Sequence, residues 1–210
     1  MFSNGFRSVY ERALGDELDA LDPRLRAYFG AIPDGCRGVG AGVFDSAGLR
    51  IRLLRPVFAL LARWGIAFPE SGADVLFEIE NTPGAEGTLR ATRTFHFPGR
   101  TRVMRDELRM VDGRLIDHLG VRGILEVVLD ASVSEGGLRM ESRSLALRAA
   151  GRRIPLPPVA KVALEERTAD DGMQHVDVRI RMPLLGEVYG YRGTFAYAMQ
   201  PAVRPLSARA

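Results

Sequence analysis

Polar and apolar residues alternate with a period of two along most of the chain after residue 74. Such alternation is typical of strands that bury one face. Turn-forming pairs such as Pro98-Gly99 and Asp112-Gly113 divide it into short consecutive segments. The pattern predicts strands at 36–45, 74–81, 87–97, 101–111, 114–119, 123–131, 137–148, 160–168, 173–182 and 187–198. Because open sheet edges invite aggregation, we expect these antiparallel strands to form a mainly β barrel or half-barrel of about ten strands, lipocalin-like in shape.

Two regions follow helical spacing instead. Within residues 1–30, apolar side chains recur at helical intervals from Phe6 to Leu14, and Asp22-Pro23 is typical of an N-cap followed by proline at the first helical position. Residues 50–65 carry arginines on one stripe and apolar side chains over the opposite half, which predicts an amphipathic helix. We expect this helix to cover one mouth of the barrel. The alternative is peripheral contact with a membrane surface.

The 210 residues, 46% of them apolar, suit a single domain over 1–210 that buries its own core. A helical segment over 1–30 is expected to precede the barrel at 36–198, into which helix 50–65 is inserted. Cys36 is the only cysteine, which excludes an internal disulfide and a cysteine-rich zinc site.

The chain offers no metal, cofactor or polyanion signature. Its three histidines fall on the outward phase of their strands, so we expect no metal site, and no dinucleotide or phosphate loop implies a cofactor. The 29 basic residues are scattered and matched by 26 acids, so no nucleic-acid partner is expected. With no signal peptide and no apolar run long enough to span a bilayer, a cytoplasmic protein is expected.

Charged residues interrupt the apolar phase of three consecutive strands. If Pro98–Thr101 is the loop of the first hairpin, Arg93 lies directly opposite Asp106. A two-residue type I′ turn at Asp112-Gly113 then places Asp117 on the same face, diagonal to Asp106. Arg93 can bridge both carboxylates through its planar fork. Because one arginine cannot neutralise two acids, one aspartate is expected to have a raised pKa.

This cluster predicts a polar anchor inside an apolar ligand cavity. Two alternatives stay open: a buried salt bridge that fixes strand register, and a one-residue slip that turns all three side chains outward. On the last strand the phenols of Tyr189, Tyr191 and Tyr197 share one face, which lines the cavity or packs in the core. The expected ligand contacts are Trp64, Ala91, Arg93, Phe95, Met104, Asp106, Leu108, Asp117, Tyr189 and Tyr191.

Several short motifs are similar to those of one protein family. They are Tyr10-Glu11-Arg12-Ala13-Leu14-Gly15, Asp22-Pro23-Arg24-Leu25-Arg26, Thr92-Arg93-Thr94-Phe95, Leu115-Ile116-Asp117-His118-Leu119-Gly120, Gly136-Gly137-Leu138-Arg139-Met140, Pro155-Leu156-Pro157-Pro158, Met182-Pro183-Leu184-Leu185-Gly186 and Tyr191-Arg192-Gly193. In this order they span nearly the whole chain, which resembles the bacterial domain-of-unknown-function family 4166. The family pattern has an arginine at Arg93 and an acid, usually Glu, at Asp117. Members often look like the C-terminal part of longer proteins with an oxidoreductase-like domain, but no reductase activity carries over to this chain.

Three functions follow from these features. The first is binding of a hydrophobic small molecule or lipid in the barrel. The second is a cofactor-independent cyclase or isomerase of natural-product type, in which Asp106 or Asp117 moves a proton and Arg93 steadies developing negative charge. The third is a structural or interaction domain with a buried salt bridge.

Overall fold

The computed structural model describes residues 7–202. Phe6, expected within the first helix, lies outside this range. The described residues form a closed, antiparallel, ten-stranded barrel with two extra strands and few helices. The barrel strands are β1 (Cys36–Leu49), β3 (Val75–Pro83), β4 (Leu89–Phe97), β5 (Arg100–Val111), β6 (Arg114–Leu119), β7 (Leu125–Ser134), β8 (Gly137–Ala149), β10 (Lys161–Thr168), β11 (Gln174–Met182) and β12 (Gly186–Pro201).

The barrel closes because β8 pairs with β7 on one side and with β10 on the other. The sequence pattern did not predict the two extra strands, which are too short to alternate visibly. They are β2 (Ser71–Gly72), which pairs with β1, and β9 (Arg152–Pro155), which pairs with β8. The predicted barrel is confirmed, with closure in place of an open half-barrel.

The second hairpin has the predicted register. Asp112 and Gly113 both have positive φ, 49° and 72°, as a type I′ turn requires, and Leu108 lies opposite Asp117.

The register predicted for the first hairpin is wrong by two residues. Pro98-Gly99 forms a two-residue turn with Gly99 at φ 71°, so Phe97 pairs with Arg100. Arg93 therefore lies opposite Met104 and is diagonal to Asp106, not directly opposite it. Because the shift is an even number of residues, both side chains stay on the inner face.

The N-terminal segment forms short helices that close one end of the barrel. They are α1 (Val9–Leu14), a 3₁₀ turn (Gly15–Ala20) and α2 (Pro23–Phe29). Ser8 and Glu11 form a capping box at α1, and Asp22 caps α2 as predicted, accepting from the backbone of Arg24 at 2.9 Å. Buried side chains of both helices pack against β5, β6, β7 and β8. We call this the lid end.

The opposite end is closed by the inserted helix. A 3₁₀ turn (Arg52–Leu54) leads into α3 (Arg55–Arg63), with Pro56 in its first turn, where the missing N–H costs nothing. Phe58 points inward and stacks on Tyr189 with ring centroids 5.2 Å apart. Leu53, Val57 and Leu60 stay exposed, so the expectation that the apolar half of this helix faces the core is only partly met.

The three histidines lie on the outward phase, but one of them is buried. His118 is 7% exposed and lies beneath the side chain of Arg148, 2.8 Å away, with Glu126 at 3.5 Å. Residues 7–202 contain no cluster of His, Cys, Asp or Glu arranged to hold a metal ion.

No helix in the described range is both long enough and apolar enough to cross a bilayer.

Candidate functional site

The interior of the barrel contains a polar layer next to a large aromatic core. Toward α3, the rings of Phe44, Phe68, Phe77 and Phe95 contact one another at centroid distances of 4.1 to 5.8 Å. Charged and polar side chains occupy the layer nearer the lid end. We define the polar core as Arg93, Asp106, Asp117, Glu166, Gln174 and Tyr191.

Arg93 and Asp106 form a buried ion pair from neighbouring strands. Nη1 of Arg93 donates to Oδ1 of Asp106, and the two side chains are 16% and 0% exposed. The other carboxylate oxygen of Asp106 is buried without a hydrogen-bond partner. Arg93 therefore pairs with one oxygen of this carboxylate, and the other oxygen remains an unpaired acceptor in the interior.

Asp117 is not bridged by Arg93, contrary to the prediction. Its Oδ1 is buried and has no hydrogen-bond partner among the described residues. Burial, reinforced by the negative charge of Asp106 and opposed by Arg93, holds the pKa of Asp117 well above its usual range. Burial also raises the pKa of Asp106, against the opposing effect of Arg93. Asp117 therefore has the larger rise in pKa of the two aspartates, because no cation within residues 7–202 forms an ion pair with it.

A third carboxyl lies in the same layer. Glu166 of β10 is 6% exposed, and Nε2 of Gln174 on β11 donates to its Oε2. Burial raises the pKa of Glu166 to about 7, opposed by the Gln174 hydrogen bond and by Arg93. One guanidinium therefore faces three buried carboxyls, and at neutral pH the layer cannot hold all three as anions.

Tyrosine hydroxyls surround this charge cluster. Tyr191 of β12 is 6% exposed, and burial raises its pKa to about 12. Burial also raises the pKa values of Tyr10 on α1 and Tyr28 on α2 well above 10, and both hydroxyls feel the charges of Arg93 and Glu166. All three phenols are therefore neutral and available as hydrogen-bond donors.

A cleft opens at the lid end, and no residue of the polar core lines it. It has a volume of about 260 Å³ and lies between the N-terminal helices and the β3–β4 connection. Tyr10, Tyr28 and Asn81 contribute to its wall, and Oδ1 of Asn81 is buried without a partner. Arg93 and Asp117 do not line this cleft.

Nine of the ten expected ligand contacts lie on inward-facing strand positions. Arg93, Asp106, Asp117 and Tyr191 meet in the polar core. The structure places Phe95, Met104, Leu108 and Tyr189 in packed apolar surroundings, and Trp64 at the end of α3 packs against the same core. Ala91 is buried on β4, directly opposite Asp106 on β5.

Sequence reasoning missed Glu166, Gln174, Tyr10 and Tyr28. Glu166 and Gln174 each occupy the apolar phase of a strand, which is the same signal that singled out Arg93. Applying that test to every strand would have identified both residues. The two tyrosines come from helices. Their position over the barrel mouth depends on tertiary packing that no local pattern encodes.

The comparisons with known proteins give a family and little else. The profile of the family described as "Domain of unknown function (DUF4166)" matches residues 21–195. No curated protein matches the sequence. Among solved structures, the crystal structure of the dehydratase domain of RzxB from Pseudomonas fluorescens is 11% identical over 83% of this chain and 80% of that chain, with a TM-score of 0.18. A likeness this low carries no argument about function.

Proposed function

Since this chain belongs to the DUF4166 family, whose description names no activity, we propose a function from the polar core alone: binding of a hydrophobic small molecule or lipid whose polar end reaches that core. The observation that carries the proposal is a set of buried acceptors without partners, on Asp106, Asp117 and Asn81. A buried polar atom left unpaired costs about 1–3 kcal/mol, so a ligand that donates to it gains that much.

The charge balance of the polar core selects the kind of polar end. Asp106, Asp117 and Glu166 already outnumber Arg93, so a ligand carboxylate adds a fourth acid to a buried layer. A hydroxyl or a protonated amine donates to the free oxygens without that penalty. We therefore propose an amphipathic ligand with an apolar body and a donor group at one end.

The cleft at the lid end supports an entrance there. Its wall contains Tyr10 and Tyr28, whose hydroxyls feel the charge of Arg93. At about 260 Å³ it is slightly smaller than most ligand pockets, which start near 300 Å³. Ligand entry by this route requires α1 and α2 to move outward so that the cleft opens toward Arg93.

The fluorescent probe N-phenyl-1-naphthylamine tests the binding proposal by competition. Decanol and decylamine are expected to displace it, whereas decanoate, with the same apolar body, competes at least ~10-fold more weakly. No probe binding, or equal displacement by all three compounds, contradicts the proposal.

A second candidate function is a cofactor-independent cyclase or isomerase in the same site. The pKa of Glu166, about 7, favours it, because a general acid or base works best when its pKa lies near the working pH. Asp117 or Glu166 then moves the proton, and Arg93 steadies developing negative charge. Chemical conversion of a bound ligand that is lost in Glu166→Gln or in Asp117→Asn distinguishes this candidate from binding alone.

A further inference from the structure

Large exposed apolar side chains are concentrated at the end of the barrel that α3 closes. Leu53 is 82% exposed before α3, and Leu184 is 106% exposed in the β11–β12 turn. Single exposed leucines are ordinary on protein surfaces, whereas a group on neighbouring segments marks an interaction site. We define the docking face as Leu53, Val57, Leu60, Leu184 and Leu185.

The two segments that carry this face are adjacent. The backbone N–H of Arg50, just before the α3 segment, donates to the carbonyl of Val188 at 2.8 Å, just after the β11–β12 turn. The side chains of Arg50 and Glu187 form an ion pair at 3.4 Å. The leucines before α3 and those of the turn therefore project from the same end of the molecule.

The fold itself does not explain why residue 184 is a leucine. Its backbone has φ 65°, in the left-handed region that favours glycine and disfavours branched side chains. Its side chain is fully exposed and packs against nothing that offsets this strain. Its backbone conformation and its exposure together make Leu184 a candidate contact residue.

The segment that carries the leucines of α3 is strongly basic, unlike the segment at the lid end. Residues 50–63 carry four arginines and no acid: Arg50, Arg52, Arg55 and Arg63. At the lid end, residues 7–29 carry four arginines and five acids, so this segment is nearly neutral. The apolar end is therefore the basic end, although the whole chain has a formal net charge of only +3.

We propose that the docking face binds the surface of an anionic lipid bilayer. Its leucines insert at the boundary between headgroups and acyl chains, and the arginines beside them contact anionic headgroups. The lid end then points away from the membrane, which leaves the cleft beside α1 and α2 open to the aqueous side. This docking goes beyond ligand binding in the polar core and does not depend on it.

Co-sedimentation with lipid vesicles tests the proposal. The protein is expected to bind vesicles of phosphatidylcholine mixed with phosphatidylglycerol, to bind pure phosphatidylcholine more weakly, and to dissociate as salt rises. The double variant Leu53→Ser/Leu184→Gly is expected to bind mixed vesicles at least ~10-fold more weakly. Because glycine suits the backbone of residue 184, this variant keeps the fold, which circular dichroism checks.

The matched control is the double variant Val111→Ser/Met199→Ser, which removes exposed apolar side chains at the lid end. It is expected to bind vesicles as the unmodified chain does. Three outcomes overturn the proposal: no binding to mixed vesicles, equal loss in the control variant, or a dimer in analytical ultracentrifugation that Leu53→Ser/Leu184→Gly abolishes. The last outcome assigns the face to a second copy of the chain.

Discussion

The polar core combines one buried base with three buried acids, and the acids differ in their partners. Asp106 pairs with Arg93, Glu166 accepts from Gln174, and Asp117 has a carboxyl oxygen with no partner. Burying an ion costs several kcal/mol unless a partner of opposite charge offsets it. The three carboxyls therefore contribute differently to stability, and each difference can be measured.

Asp106→Asn and Asp117→Asn are expected to have unequal effects on stability. Asp106→Asn leaves Arg93 buried without its carboxylate and lowers the free energy of unfolding by about 3–5 kcal/mol. Asp117→Asn replaces a carboxyl whose pKa burial raises and which forms no ion pair within residues 7–202, so it costs at most about 1 kcal/mol. Urea unfolding measures both, with Asp130→Asn as the exposed control. Equal losses of unfolding free energy at positions 106 and 117 contradict the assignment of the buried ion pair to Asp106 alone.

Glu166 makes the stability of the fold depend on pH. Because its pKa in the folded state is about 7, above the ordinary value of 4.5, folding takes up a proton between these two values. Its stabilising contribution is complete below pH 4.5 and is lost as pH rises through about 7. The difference amounts to roughly 3 kcal/mol.

The variant Glu166→Gln is therefore expected to flatten the fall in unfolding free energy between pH 5 and pH 8. Glu165→Gln, on the outward phase of the same strand, is the matched control and should leave the slope unchanged. Urea unfolding at several pH values measures the slope. A slope that survives in Glu166→Gln assigns the pH dependence to other groups.

Among the elements, the glycine-rich strand β1 lets two neighbouring strands come close. A Cβ at Gly42 would lie 2.0 Å from the carbonyl oxygen of Thr194 on β12. The strands and turns were predictable because alternation and turn residues are local signals. The register at Pro98-Gly99 was not, because loops of two and four residues both fit the same apolar pairing.

Gly42→Ala is expected to lower the free energy of unfolding by about 3 kcal/mol, because β1 and β12 must separate to admit a methyl group. Gly113→Ala is the comparison. No atom lies within 4 Å of a Cβ there, so only the strain of φ 72° is felt, at about 1 kcal/mol. Thermal or urea unfolding ranks the two variants. A Gly42→Ala variant no less stable than Gly113→Ala contradicts the close approach of the strands.

At the scale of the whole molecule, the barrel has two unlike ends and a polar layer between them. The helices α1 and α2 border the cleft at the lid end, and α3 closes the other end with exposed leucines and arginines. The sequence predicted which residues face inward. It did not predict that aromatic rings fill the half near α3, because the filling of a barrel depends on side chains from every strand at once.

The central claim is that the polar core anchors a ligand, and competition for N-phenyl-1-naphthylamine by decylamine and by decanol tests it most directly. Asp117→Asn removes a group that can become a buried anion and keeps its shape, so the preference for the amine over the alcohol is expected to fall about tenfold. Asp130→Asn, which removes an exposed surface carboxylate, should keep the preference. Probe binding with an unchanged preference in Asp117→Asn contradicts the account, because the ligand then binds away from the polar core.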